Sequence, residues 1–222
     1  MRAFIVQETD EGTGGVIFAK SNIAARKAGA NEYNGGEIGG MSVHRAPGLD
    51  QYAEMGVPAR VMVEEGWWFE CSGCGMRINE ENLSEDGLPV SGVVGVMDSL
   101  VFCCAHCHEQ WTETQRRKRE AGDAFLTKLK QHAARRLGAI DFVAGDFKEH
   151  IYVVEVDGHL IVRQAIVSFK FPGMAVGPAS LRYDEAHQDG PQPLVFYCCN
   201  GDKDAFEAFA SAGRRALEDR NG

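Results

Sequence analysis

Hydrophobic positions recur along the chain with two different periods. From residue 109 to 137, Trp111, Ala121, Phe125, Leu126, Leu129, Ala133 and Leu137 fall on one stripe at 100° per residue. That period predicts a long amphipathic helix, with Gly122 as a point where it breaks or bends. Beyond residue 139 the pattern becomes β-like. Residues 151–156 and 159–169 are rich in β-branched and aromatic side chains and are separated by Asp157 and Gly158. An Asp-Gly pair suits the left-handed conformations of a two-residue hairpin turn, so a hairpin is expected there.

The remaining elements follow from shorter signals. Residues 3–6 and 16–18 predict two strands around a turn at 10–15, and Ser21 predicts a cap for a helix over 22–28 that Gly29 ends. Glycines at 35, 36, 39 and 40 bracket a loop that lacks the lysine of a phosphate-binding loop. A short helix is expected over 47–55 and strands over 59–63, 178–183 and 194–199, the last one buried and containing Cys198 and Cys199. Residues 184–193 read as an exposed loop. Asp204 with Glu207 reads as a capping-box start to a final helix with Phe206, Phe209, Ala210, Gly213 and Leu217 on its packing stripe and Arg214, Arg215 and Arg220 near its end.

The chemistry concentrates between Trp67 and Trp111, where five of the seven cysteines lie: Cys71, Cys74, Cys103, Cys104 and Cys107. A two-residue gap lets the backbone turn and aim two thiolates at one point, so Cys71 with Cys74 and Cys104 with Cys107 make a tetrahedral zinc set. Cys103 is the alternative to Cys104, and His106 or His108 the alternative to a thiolate. Four thiolates leave no open position, which makes the metal a structural Zn2+. Gly75 follows the first pair, residues 88–102 read as a hairpin returning to the metal, and Cys107 falls in the first turn of the long helix. Knuckle, hairpin and helix in that order resemble the treble-clef zinc fingers over about a fifth of the chain. The resemblance implies a scaffold that serves in DNA-binding, protein-binding and nuclease modules.

Enzymatic motifs are missing. The H-x-E and P-C-x-x-C pair of zinc deaminases does not occur around residues 106–109, His108 and Glu109 are not followed by the second histidine of a protease helix, and residues 85–102 hold no histidine for a nuclease. Metal-assisted hydrolysis through His106 or His108 stays as an alternative. The expectation leans away from an enzyme.

Charge separates the remaining readings. The formal net charge is −9: residues 1–110 carry 7 basic and 16 acidic side chains, residues 111–138 carry 8 and 3, and residues 139–222 carry 8 and 13. An acidic body disfavours general nucleic-acid binding, which relies on Lys and Arg at backbone phosphates. The exception is the long helix, where Arg116, Arg117, Arg119, Lys128 and Arg135 offer a nucleic-acid or acidic-partner surface. Trp67 and Trp68, flanked by Glu64, Glu65 and Glu70, suit a protein partner better than bases.

At 44% hydrophobic and 25% charged residues, the composition is that of a folded globular protein. With no apolar run near the roughly 18 residues of a membrane span, a quickly polar start and cysteines grouped as metal pairs, the expected compartment is the cytoplasm. The expected fold is α+β: a small α+β unit over 1–66, a treble-clef-like zinc module with its long helix over 67–138, and an antiparallel sheet with a terminal helix over 139–222. The glycine-rich N-terminal segment with its alanine helix resembles small proteins of bacteriophages and prophages, which implies a regulator or inhibitor of a host system. The function expected is non-enzymatic binding of another protein, with nucleic-acid binding as the alternative.

Overall fold

A computed structural model describes residues 1–10, 12–145, 148–187 and 194–221, with side chains described through residue 213 except that of residue 187. Of the loop expected at 184–193, Glu185–His187 forms a 3-10 turn, while residues 188–193 and the side chains of Leu217, Arg214, Arg215 and Arg220 lie outside the described part. The chain is a mixture of helix and antiparallel sheet that separates into two compact units, Met1–Thr112 and Glu113–Gly222.

The first unit begins with β1 (Arg2–Glu8), β2 (Gly14–Ala19), α1 (Asn22–Tyr33) and β3 (Met41–Arg45). The strands form a sheet in the order β2-β1-β3, antiparallel throughout. Ser21 caps α1 by accepting the amide of Ala24 at 3.3 Å. Gly29 does not end this helix, as its sequence position suggested, but lies inside it. A Cβ there would come within 2.3 Å of Val6 Cγ1, so glycine is what lets α1 lie close on the sheet. Phe4, Val6, Ala19, Ala25, Ala30 and Met41 fill that interface.

A 3-10 turn at Pro47–Tyr52 leads to α2 (Ala59–Glu64). This segment was expected as a strand. Its buried residues are Ala59, Met62 and Val63, the i, i+3, i+4 set of one helix face, and a run this short carries too little periodicity to separate the two states. Met62 joins Ala3, Val16, Leu49 and Val57 in a second core, against which Trp67 and Phe69 pack. The N-terminal sheet thus shares a core with the aromatic residues that precede the cysteines. After these come β4 (Phe69–Glu70), β5 (Arg77–Ile78), α3 (Glu80–Glu85), a 3-10 turn at Val90–Gly92 and α4 (Ala105–Leu137).

The second unit contains the remainder of α4 with β6 (Asp141–Val143), β7 (Glu149–Val156), β8 (His159–Lys170), β9 (Ala179–Asp184), β10 (Leu194–Tyr197) and α5 (Lys203–Asn221). The strands form an antiparallel sheet ordered β10-β9-β8-β6, with β7 also paired to β8. The β7–β8 turn is the expected one: Asp157 and Gly158 have φ of 50° and 77°. One residue of β8, Arg163, is left over between the pairs Tyr152↔Gln164 and Val153↔Val162, a bulge that the sequence did not announce. Leu126, Leu129, Ala133 and Leu137 of α4 and Phe206 of α5 cover one sheet face by packing on Ala165, Val167, Phe169, Ala179 and Leu181. At Gly122 the helix continues unbroken. Its missing side chain admits Ile151 and Val153 of β7, whose methyls lie 3.3 and 3.6 Å from where a Cβ would stand.

Two expectations near the C-terminus change. β10 stops at Tyr197 with alternating exposure, so Cys198 and Cys199 are half-buried thiols beyond a strand rather than buried thiols within it. The final helix begins at Lys203, which puts Asp204 inside its first turn instead of at the cap. The acid that organises this corner is Asp202, 1% exposed, in a 3-10 turn at Asn200–Asp202. Its carboxylate accepts the amides of Ala175, Val176 and Gly177 at 2.8, 3.0 and 3.0 Å and the Cys199 thiol at 3.1 Å, tying the β8–β9 connection to the start of α5.

Donation from Ala175 first, then from Cys199 and Gly177, holds the Asp202 carboxyl at about 2, below the ordinary carboxylate value. A carboxyl lowered in the folded state adds stability that is fully present above its unfolded value near 3.8 and is lost as pH falls toward 2. Asp202→Asn should be less stable than the native chain at pH 7, and its urea midpoint should change less than the native one between pH 4 and pH 2. Parallel curves for the two proteins would show that Asp202 contributes no such dependence.

Candidate metal centre

The centre is built from the knuckle upward. β4 and β5 pair as Phe69↔Ile78 and Glu70↔Arg77, and the chain between them is closed by Cys71 N–H to Met76 O and Gly75 N–H to Cys71 O, both 2.8 Å. Gly75, at φ 77°, supplies the left-handed residue that this tight reversal needs. Ser72 donates its amide to Val101 O at 2.8 Å, which brings the second cysteine group alongside the first.

The return path is shorter than the hairpin expected over 88–102. It is one antiparallel bridge, Val94↔Phe102, with amide bonds of 2.8 and 3.0 Å. Residues 80–92 instead hold α3 and a 3-10 turn. α3 has its own local logic: Asn79 Oδ1 accepts the Asn82 amide at 2.9 Å, Glu80 and Glu81 face the positive end, and Leu83 is fully buried.

Cys71, Cys74, Cys103 and Cys107 place their sulfurs within 4.8 Å of one another. The Cys74–Cys103 separation is 3.8 Å and the Cys103–Cys107 separation 3.4 Å. A tetrahedral ion with bonds of about 2.3 Å sets its sulfurs about 3.8 Å apart, so the cluster is close to coordination geometry. Zinc fits this all-sulfur set.

The set differs at one position from the one preferred by spacing, which took Cys104 and kept Cys103 in reserve. Cys104 directly precedes α4, the position of a helix cap. The Cys107 amide, the largest influence on it, holds the Cys104 thiol below its ordinary value. Cys103, one residue earlier, reaches Cys107 across one helical turn, and its sulfur also lies 3.8 Å from that of Cys104. His106 and His108 are exposed and stand apart from the four-cysteine group; His108 lies against the Phe102 ring with centroids 5.0 Å apart.

The electrostatics of Cys71, Cys103 and Cys107 favour a cation. Burial opposes ionisation of Cys71, but the amides of Cys74, Cys103 and Gly73 outweigh it and bring the thiol down to about 7. Burial drives Cys103 strongly upward, and the neighbouring thiols of Cys107 and Cys71 add to the effect. Cys107 is likewise raised, to about 12, by burial above all. The Cys71 thiolate is stabilised by the fold, and Cys103 and Cys107 lack a counter-charge that a bound metal ion would supply.

The surface residues singled out from sequence separate by environment. Trp67 is half-buried in the core beside Val57 and Met62, whereas Trp68 is 56% exposed, with the Arg77 guanidinium 4.4 Å above its ring. Arg116 is held between Glu113 and Glu120, and Arg117 lies 3.4 Å from Glu155. Arg119, Lys128 and Arg135 are exposed.

No family model, curated protein or solved structure matches this chain. Among the described residues, no helix is long and apolar enough to cross a membrane.

Proposed function

We propose that this chain is a zinc-stabilised, non-enzymatic protein that acts by binding another protein, its zinc held in a treble-clef-like module. The observation that carries the reading is the closed group of four cysteine sulfurs within 4.8 Å, because a catalytic zinc keeps one position for water or substrate and four thiolates leave none. The knuckle, the Val94↔Phe102 return and the second cysteine group at the start of α4 support the module assignment. Trp68, exposed and steadied by Arg77 on the metal-bearing hairpin, suits a partner surface, since large rigid aromatics contribute heavily to protein interfaces. The finer reading, a phage-type regulator or inhibitor of a host system, rests on the N-terminal resemblance alone.

Nucleic-acid binding through α4 is weakened as a reading by the engagement of Arg116 and Arg117 with carboxylates, which neutralise much of the basic run near the cysteines. The test is affinity capture of the tagged chain from bacterial lysate, with and without nuclease. A protein retained in both samples, and lost with Trp68→Ala, is the expected outcome. Retention of nucleic acid that nuclease abolishes would overturn the reading.

A further inference from the structure

The second unit holds a groove of about 380 Å³ between α4 and the β9–β10 side of the sheet. Its floor is apolar: Phe125 and Leu129 from α4, Tyr183 from β9 and Leu194 from β10. Leu129 is buried, and the Phe125 and Tyr183 rings brace each other with centroids 4.9 Å apart, so the floor is formed in advance of any ligand.

The rim has the opposite character. Lys128, His132 and Arg135 line it, spaced i, i+4, i+7 along one side of α4. The ion pairs of α4 among the described residues go to Arg116, Arg117 and Lys130, and none to Lys128 or Arg135. Burial first, and then the nearby charges of Arg136 and Arg135, hold His132 below its ordinary value, a sign of positive potential at the rim. This concentration is local. Residues 113–222 carry 16 basic and 16 acidic side chains, while residues 1–112 carry 7 and 16 and so contribute the whole net charge of −9.

We propose that this groove takes an acidic peptide segment of a partner protein, one Phe or Leu side chain resting on the Phe125–Leu129–Tyr183–Leu194 floor and its flanking carboxylates meeting Lys128 and Arg135. The inference rests on the protein-binding reading above and names the chemistry of the partner. The floor decides between anions. The phosphate backbone of a duplex satisfies the cations and leaves the apolar surface in water, whereas an acidic segment with one large apolar side chain satisfies both. The volume lies in the range of about 300–1,000 Å³ typical of sites that seat a small ligand or an anchor side chain.

The test is fluorescence anisotropy of the full-length chain with a labelled eight-residue peptide of Asp and Glu carrying one central Phe. Saturable binding is expected, weakened about tenfold or more by Lys128→Glu with Arg135→Glu, because both charges that meet the peptide are reversed. Replacing the central Phe by Ala should weaken it by roughly fivefold or more, because the anchor is removed. The double variant Lys118→Glu with Lys203→Glu, equal in charge change but outside the groove, should keep affinity within about twofold. Far-UV circular dichroism confirms that each variant is folded.

Absence of saturable binding to the native chain would overturn the proposal. Equal losses in the two double variants would also overturn it, by reducing the effect to general attraction toward positive charge. A labelled single-stranded oligonucleotide that binds tighter than the peptide and is lost in the same groove variant would replace the peptide with nucleic acid. If the peptide fails while nuclease-treated capture still retains a protein, only the groove is removed; if both fail, the reading beneath it goes as well.

Discussion

Cys103→Ser should yield protein with little or no zinc and an unfolded first unit, whereas Cys104→Ser should retain close to one zinc per chain. The contrast follows from sulfur positions: Cys103 is one of the four within 4.8 Å, and Cys104 is outside that group, directly before α4. Structural zinc sites in small peptides contribute about 10–16 kcal/mol of apparent binding free energy at neutral pH. Whole domains are stable by about 5–15 kcal/mol, so losing the metal is enough to unfold the unit that holds it. The cysteines also belong to its core. Cys71, Cys103 and Cys107 pack with Val63, Ile78, Leu83, Val101 and Phe102, so disorder at the metal reaches α2 and α3 directly.

The measurements are metal content after purification without added zinc and the urea midpoint of each variant, with Cys71→Ser as a reference for ligand loss. Cys104→Ser should stay within about 1 kcal/mol of the native chain, because serine is itself a favoured residue at a helix start. If Cys104→Ser loses the metal and Cys103→Ser keeps it, the ligand set is the one with Cys104. Native protein free of zinc would remove the metal centre altogether.

The second large effect is expected at Phe169→Ala, which should destabilise the second unit by about 3–5 kcal/mol. Phe169 is fully buried in β8 and lies between Phe142, Phe196 and Phe206, with ring centroids 6.4, 6.2 and 6.4 Å away. These rings come from β6, β10 and α5. Removing the Phe169 ring leaves a cavity that three separate elements would have to move to fill, and such sites relax poorly. Urea unfolding followed by near-UV circular dichroism, which reports the aromatic cluster, measures the loss. A cost below about 1.5 kcal/mol would mean that the cluster collapses around the deletion.

The long helix, the Asp157–Gly158 hairpin and the cysteine group were legible in the sequence because each depends on neighbours close along the chain. A stripe at 100° per residue, a turn dipeptide and a two-residue cysteine gap are local physical constraints. Residues 59–63 and 80–85 were not legible. Six residues complete fewer than two helical turns, and both segments are held by packing: Met62 against the N-terminal core and Leu83 against the cysteines. Gly122 was misleading for a related reason. Alone it reads as a weak point, and only the approach of Ile151 and Val153 shows it to be a contact surface.

The sequence by itself determined that the chain folds as mixed helix and sheet, that a metal-type cysteine group lies in its first half, and that negative charge is concentrated there. Those properties are written in residue type and spacing. Tertiary structure alone decided that Cys103 rather than Cys104 lies among the four clustered sulfurs, that Trp67 is core while Trp68 is surface, and that Asp202 rather than Asp204 organises the final corner. In each of those pairs the two residues are alike in chemistry and one or two positions apart. Only the direction in which the folded backbone points each side chain separates them, and that direction is set by contacts with residues far along the chain.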